Sequence, residues 1–130
     1  MSDMEIKIPE INTPEELAKF AVQVLDRKKA KGLRMLHVFD RTIIADYFVV
    51  CTGNSSTQLR SFADEVDFML SEAGYPPARI EGDGNSGWIL LDFSSVIVHI
   101  FSPQGREFYD LEKLYDEDAE VDISDILTDD

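Results

Sequence analysis

Trp88–Phe101 reads WILLDFSSVIVHIF, two runs of β-branched and aromatic residues around Ser94-Ser95. Such runs flanking a two-residue turn predict a β-hairpin. A loop at Ser94-Ser95 sets Phe93 opposite Val96, Leu91 opposite Val98 and Ile89 opposite Ile100. That face is wholly apolar and belongs against a core. The other face then carries Trp88 opposite Phe101, Leu90 opposite His99 and Asp92 opposite Ile97. Both polar residues fall on this second face, and a one-residue slip of either strand would break the segregation. A face with a large aromatic, aliphatics, a carboxylate and an imidazole is too polar for an ordinary core and too apolar for an ordinary solvated surface. It has the composition of a docking site. The plainer alternative is that helices cover both faces and the polar pair is hydrogen-bonded at the rim.

Upstream of the hairpin, Thr13-Pro14-Glu15-Glu16 is a helix start, with Thr13 at the N-cap, Pro14 at N1 and Glu16 completing a capping box. Leu17, Phe20, Ala21, Val24 and Leu25 mark its buried stripe, and Gly32 follows its lysine-rich end. Leu33–Asp40 reads as a strand with Met35, His37 and Phe39 on one side and Leu36 and Val38 on the other. Asp46–Thr52 is a second strand whose nearly continuous apolar run predicts a central position. Asn54 or Ser55 caps a second helix reaching about Ala73, stopped by Gly74 and Pro76-Pro77. Arg79–Glu81 is a short third strand, expected to lie parallel to the second through a right-handed crossover. Arg106–Tyr115 reads as a last helix, opened by Arg106, Glu107 and Tyr109. The order is that of a small α/β domain with a mixed sheet of about five strands and flanking helices.

The chain has 130 residues, one domain's worth, able to bury roughly two-thirds of its unfolded surface. Its net charge is −14, and Asp110–Asp130 holds ten acidic side chains against Lys113 alone. Such a protein is repelled by nucleic-acid backbones and anionic membranes and steered toward basic surfaces, including the proteins that coat RNA. Residues 1–115 are expected to form the α/β domain and residues 116–130 a disordered acidic tail. No stretch approaches the about 20 apolar residues of a membrane span. Met1–Glu10 has no apolar h-region and is not Arg-rich, so neither a secretory signal nor a transit peptide is expected. The single cysteine, Cys51, fits a reducing, cytoplasmic setting.

Gly53-Asn54-Ser55-Ser56 follows a strand and opens a helix, a geometry that can cradle a phosphate. Nucleotidyltransferases with a related loop need two acidic residues one apart on a strand to hold magnesium, and no such pair follows here. A helix cap is the better reading, with a nucleotide-binding enzyme as the alternative. Cys51 reads as a buried strand residue rather than a nucleophile. His37 and His99 lack metal-ligand spacing, so no metal site is expected. Arg106 and Tyr109 are types that often anchor interfaces.

Six segments together carry a resemblance. ADYFVVCTGNSS (Ala45–Ser56), ADEV (Ala63–Val66), AGYPPARIEG (Ala73–Gly82), WILLDF (Trp88–Phe93), VIVHIF (Val96–Phe101) and REFYDLEKLY (Arg106–Tyr115) occur in order. In sequence and spacing they resemble the ribosomal silencing factor, or iojap, family over about Thr13–Tyr115. The family's hairpin turn usually carries Gly-Asp where this chain has Ser94-Ser95, and the resemblance does not account for the long acidic tail. It implies a nucleotidyltransferase-like topology without the catalytic carboxylates, no enzymatic activity and no cofactor. It further implies binding to a basic large-subunit ribosomal protein of L-fourteen type, blocked subunit joining and repressed translation, and it allows a homodimer when the protein is free. Matching motif positions name Trp88, Ile89, Leu90, Asp92, Arg106 and Tyr109 as docking residues, with Asp46 and Tyr47 beside them. An acidic adaptor for some other basic protein is the remaining alternative.

Overall fold

The hairpin forms in the register that its two faces demand. In the computed structural model, which describes residues 7–39, 45–115 and 117–128, β4 (Trp88–Asp92) and β5 (Val96–Phe101) pair antiparallel. Trp88 lies opposite Phe101, Leu90 opposite His99 and Asp92 opposite Ile97. The turn is closed by Phe93 N donating to Val96 O at 2.8 Å. Ser94 takes a left-handed φ of 73°, and its N–H donates to Asp92 Oδ1 at 2.8 Å. That side-chain bond offsets the strain of a non-glycine residue there, about 1 kcal/mol.

The other elements are α1 (Pro14–Arg27), β1 (Lys31–His37), β2 (Tyr47–Thr52), α2 (Ser56–Glu72), β3 (Arg79–Glu81), α3 (Pro103–Tyr109) and β6 (Glu120–Val121). They build a mixed six-stranded sheet in the order β3-β4-β5-β2-β1-β6. β2 is central, as its apolar run predicts. Its parallel partner is β5, not β3 as expected; every other pairing is antiparallel. Burial explains the exchange. All six residues of β5 are buried, while all three of β3 are exposed, so β5 takes the interior place and β3 the edge.

Both long helices cover one face. Thr13 Oγ1 accepts from Glu16 N and Glu16 Oε1 accepts from Asn12 N, which fixes the start of α1. The end of α1 comes earlier than Gly32: Lys29 takes the left-handed φ of 67°, and Ala30 N donates back to Leu25 O. The stripes of α1 and α2 meet Ile89, Leu91, Phe93, Val96, Val98 and Ile100 of the hairpin in one apolar core. Ser55 is the N-cap of α2.

The second face is closed without a long helix. Leu36, Val38, Phe48, Val50, Ile97 and Phe101 are buried there beneath Trp88, Leu90, Leu111 and Tyr115. The segment after β5 supplies much of this cover, and it is not one helix over Arg106–Tyr115. Ser102 caps α3 by accepting from Gly105 N, with Pro103 in the first turn. Asp110 then turns left-handed, φ 48°, into a 3-10 turn at Leu111–Leu114. Arg106 therefore sits in the last turn of α3, not at its opening.

The acidic segment is also folded where it was expected to be disordered. Over the described residues 117–128, a 3-10 turn at Glu117–Ala119 leads into β6, whose Glu120 and Val121 pair with Leu36 and Met35. Ala119 and Ile123 are buried, and Thr128 donates to the Asp26 carboxylate. Acidic composition alone predicts a solvated tail, but Ala119, Val121 and Ile123 alternate as a strand does, and Arg34 neutralises Glu120 through two hydrogen bonds of 3.1 and 2.7 Å.

One carboxylate ties these pieces together. Glu112 accepts from Arg34 Nη1 at 2.7 Å and from Arg106 Nε and Nη2 at 3.0 and 2.7 Å. Burial opposes its ionisation, yet the two guanidiniums outweigh that and hold the carboxyl below its ordinary range. The Glu112 side chain is 15% exposed and that of Glu120 is 43% exposed. Glu112→Gln should therefore cost about 2 kcal/mol, and Glu120→Gln under about 1 kcal/mol. Urea midpoints at unchanged m-value check this; equal losses would remove Glu112 from its central place. The Glu112 contribution is present above the ordinary carboxylate pKa and is lost as pH falls through the lowered one.

Candidate docking site

Trp88 opens β4 on the second face, where Phe101 and His99 of β5 flank it. Its indole N–H donates to His99 Nδ1 at 3.2 Å. Its ring packs on Phe101 at a centroid distance of 5.1 Å and on Tyr109 at 4.5 Å. The donated hydrogen bond makes Nδ1 an acceptor, so neutral His99 carries its proton on Nε2. Nε2 is buried with no hydrogen-bond partner among the described residues. Burial pushes His99 down to about 4, with Glu112 opposing the shift, so the imidazole stays neutral at physiological pH. A neutral acceptor orients the indole; the protonated ring could not accept that bond.

Two close contacts place Tyr109 over this indole. A Cβ on Gly105 would collide with the carbonyl oxygen of Gly87, so α3 approaches the start of β4 backbone to backbone. A Cβ on Gly32 would lie 2.6 Å from Arg106 Nη1, which leaves room for the guanidinium to cross to Thr52 Oγ1 at 2.8 Å. Trp88, Leu90 and Tyr109 then line a cleft of about 200 Å³ with Glu81, Gly82 and Ser86. Beside Tyr109, which is 44% exposed, stand Phe108 at 78% and, farther along, Leu114 at 72%. Exposed rings next to a half-buried tryptophan are the composition of an interface anchor.

The residues named from sequence separate into groups. Trp88, Leu90 and Tyr109 come together. Ile89, carried into the set by the resemblance alone, is 2% exposed in the helix-side core and offers no surface. Asp92 lies four residues from Trp88, about 13 Å along the strand, where it accepts from Ser94 N and pairs with Arg79 at 3.3 Å. Arg106 is spent internally on Glu112 and Thr52 rather than exposed as an anchor. Asp46 and Tyr47 stand at the other end of the sheet: Tyr47 pairs with Val96, whereas Trp88 pairs with Phe101. Tyr47 also packs against the helix-side core, the opposite face from Trp88. Phe108 and Leu114 were missed, because a continuous helix hides the turn at Asp110 that separates them.

The loop at Gly53–Ser56 is occupied by its own cap. Gln58 N donates to Ser55 Oγ and Asn54 N donates to Gln58 Oε1, a reciprocal pattern that uses N–H groups a phosphate would need. Cys51 is buried and its thiol is pushed up to about 12, mainly by burial, so it is no thiolate. Among the described residues no group of three or more His, Cys, Asp or Glu could hold a metal ion, and no helix is long and apolar enough to cross a membrane.

Fold and site thus define an acidic mixed α/β protein with an aromatic cleft at Trp88, Leu90 and Tyr109. A family model described as ribosomal silencing factor during starvation matches residues 11–130, a span that includes the acidic segment. The chain belongs to this ribosomal silencing factor family. It is 34% identical over 114 residues to the ribosomal silencing factor of Halalkalibacterium halodurans, covering 88% of this chain and 97% of that one. It is 31% identical over 97 residues to a mouse protein named for mitochondrial assembly of the ribosomal large subunit, covering 72% of this chain and 42% of that longer one. A crystal structure of a Chromobacterium violaceum protein superposes with a TM-score of 0.77 at 29% identity, covering 87% of this chain and 97% of that one. The family is named for silencing ribosomes, not for a catalysed reaction.

His99 sets a pH dependence. An unfolded chain protonates this residue near 6.5, and the native protein does so only near 4. Stability is full above the higher value and falls on acidification through the window, by about 1.4 kcal/mol per pH unit. His99→Phe should abolish that slope. Urea unfolding at several pH values across the window, on both proteins, tests it; parallel slopes would show that His99 is not the group responsible.

Proposed function

We propose that the protein represses translation by binding a basic large-subunit ribosomal protein of L-fourteen type through the Trp88, Leu90 and Tyr109 face. The bound protein occupies the surface the small subunit needs and blocks joining sterically. Its setting is the cytoplasm. The observation that carries this reading is the aromatic cleft, with exposed Phe108 against Tyr109, on a protein of net charge −14. Family membership supports a ribosomal target. Charge accelerates encounter with a basic partner and weakens with salt, while buried rings slow release.

The test mixes purified subunits with excess protein on a sucrose gradient. The expected result is protein migrating with the large subunit and a diminished joined-ribosome peak. An undiminished peak with no migrating protein sinks the proposal. Trp88→Ala should weaken binding to the isolated ribosomal protein roughly thirtyfold, the effect of about 2 kcal/mol. Because Trp88 also packs on Phe101, Tyr109→Ala serves as the second variant. It should keep near-normal thermal stability and still weaken binding; unchanged binding in Tyr109→Ala would exclude this cleft.

A further inference from the structure

We infer a second recognition surface, shaped for an arginine side chain of a basic polypeptide segment, at the ring ladder of His37, Phe39 and Tyr47 beside Glu15 and Asp46. His37 and Tyr47 are paired across β1 and β2, and their rings stack at 4.7 Å. Phe39, two residues along the same chain, extends the ladder, with its ring 6.3 Å from that of His37 and nearly parallel to it. Phe39 is 62% exposed. These rings, the start of α1 and the carboxylate-bearing Glu15 and Asp46 line a cleft of about 280 Å³.

One exposed phenylalanine needs no explanation. Three rings in a row with two carboxylates beside them do, because ring faces and carboxylates both attract cations. A guanidinium is planar, stacks on aromatic faces and forks onto a carboxylate; a lysine ammonium does only part of this. Among the described residues Lys19 is a nearby cation, paired with Glu15 at 3.1 Å, but both side chains are substantially exposed, so that pair is weak and exchangeable. The field agrees: the Tyr47 phenol is raised by burial and then by Glu15 and Asp46, with Lys19 opposing. This surface lies on the opposite face and at the opposite end of the sheet from Trp88, so it does not depend on the docking proposal.

A short arginine homopeptide, titrated at physiological salt and followed by the aromatic resonances in NMR, tests it. Saturable shifts at the rings of His37, Phe39 and Tyr47 are expected. Affinity should fall about fivefold in both Phe39→Ala and Phe39→Leu, since leucine restores bulk without a ring. A lysine homopeptide should bind about fivefold more weakly than the arginine one, and Phe68→Ala, an exposed ring elsewhere on α2, should bind as wild type. Shifts confined to residues 117–128, equal affinity for the two peptides, or Phe39 variants that bind normally would overturn the inference. So would a change in self-association on Phe39→Ala with peptide affinity unaltered, which would make the ladder a contact between copies.

Discussion

The parity of β4 and β5 is the constraint on which the rest depends. Side chains alternate along a strand, so Ile89, Leu91, Val96, Val98 and Ile100 must all face the helices if Trp88, His99 and Phe101 face away. A slip of one residue would drive the His99 imidazole into the aliphatic layer beneath α1 and α2, where no polar partner waits. β5 then transmits its register to β2 through the parallel pairing, and β2 to β1 through the antiparallel one. Central place, complete burial and two-sided packing are three consequences of one alternating pattern.

A sheet with helices on one face must close the other by different means. Here rings do it: Phe48 meets His99 and Tyr115 edge to face, and Trp88 lies across Phe101. The covering segment is held by Glu112, which draws Arg34 of β1 and Arg106 of α3 onto one carboxylate. That clamp converts Arg106 from a surface anchor into an internal strut. The same strut requires Gly32 to lack a side chain and fixes the helix that carries Tyr109. Packing on the second face and the shape of the Trp88 cleft are therefore set by the same contacts.

What could be read from the sequence follows the range of the interactions involved. The hairpin register, the cap at Thr13, a cap at Asn54 or Ser55 and the short β3 rest on neighbours a few residues apart, and each was legible. The parallel partner of β2 was not, since an apolar run says that a strand is buried but not beside which strand. The ion pairs of Arg34 span 78 and 86 residues, beyond any local pattern. The order in residues 117–128 was obscured by their charge, although Ala119, Val121 and Ile123 already carried the alternation of a strand. Ser102-Pro103 is a readable helix start, four residues ahead of Arg106, where the REFYDLEKLY motif begins. At the site, Trp88, Leu90 and Tyr109 were named from the motifs and do converge. Ile89 was set against them by its own parity.

The charge of the protein and the chemistry of its clefts act at different distances. Of the carboxylates near the Trp88 cleft, Glu112 is neutralised by two arginines, while Glu81 makes only an exposed pair with Arg79 at 2.9 Å. The cleft presents the rings of Trp88 and Tyr109 and the aliphatic Leu90, with Glu81 as its one carboxylate among the described lining residues. The net −14 therefore acts as a diffuse field, reaching about 8 Å at physiological ionic strength, and cannot dictate how a basic partner is oriented. Orientation must come from short-range shape: an indole fixed by His99, a phenol packed against it at a tilt of 51° and the exposed Phe108 ring beside that phenol. Attraction without orientation would bind any basic protein, and ring geometry without attraction would find its partner slowly. An acidic protein carrying a largely aromatic cleft separates the two tasks, so substitutions of the cleft's rings and changes in salt should act on different steps of binding.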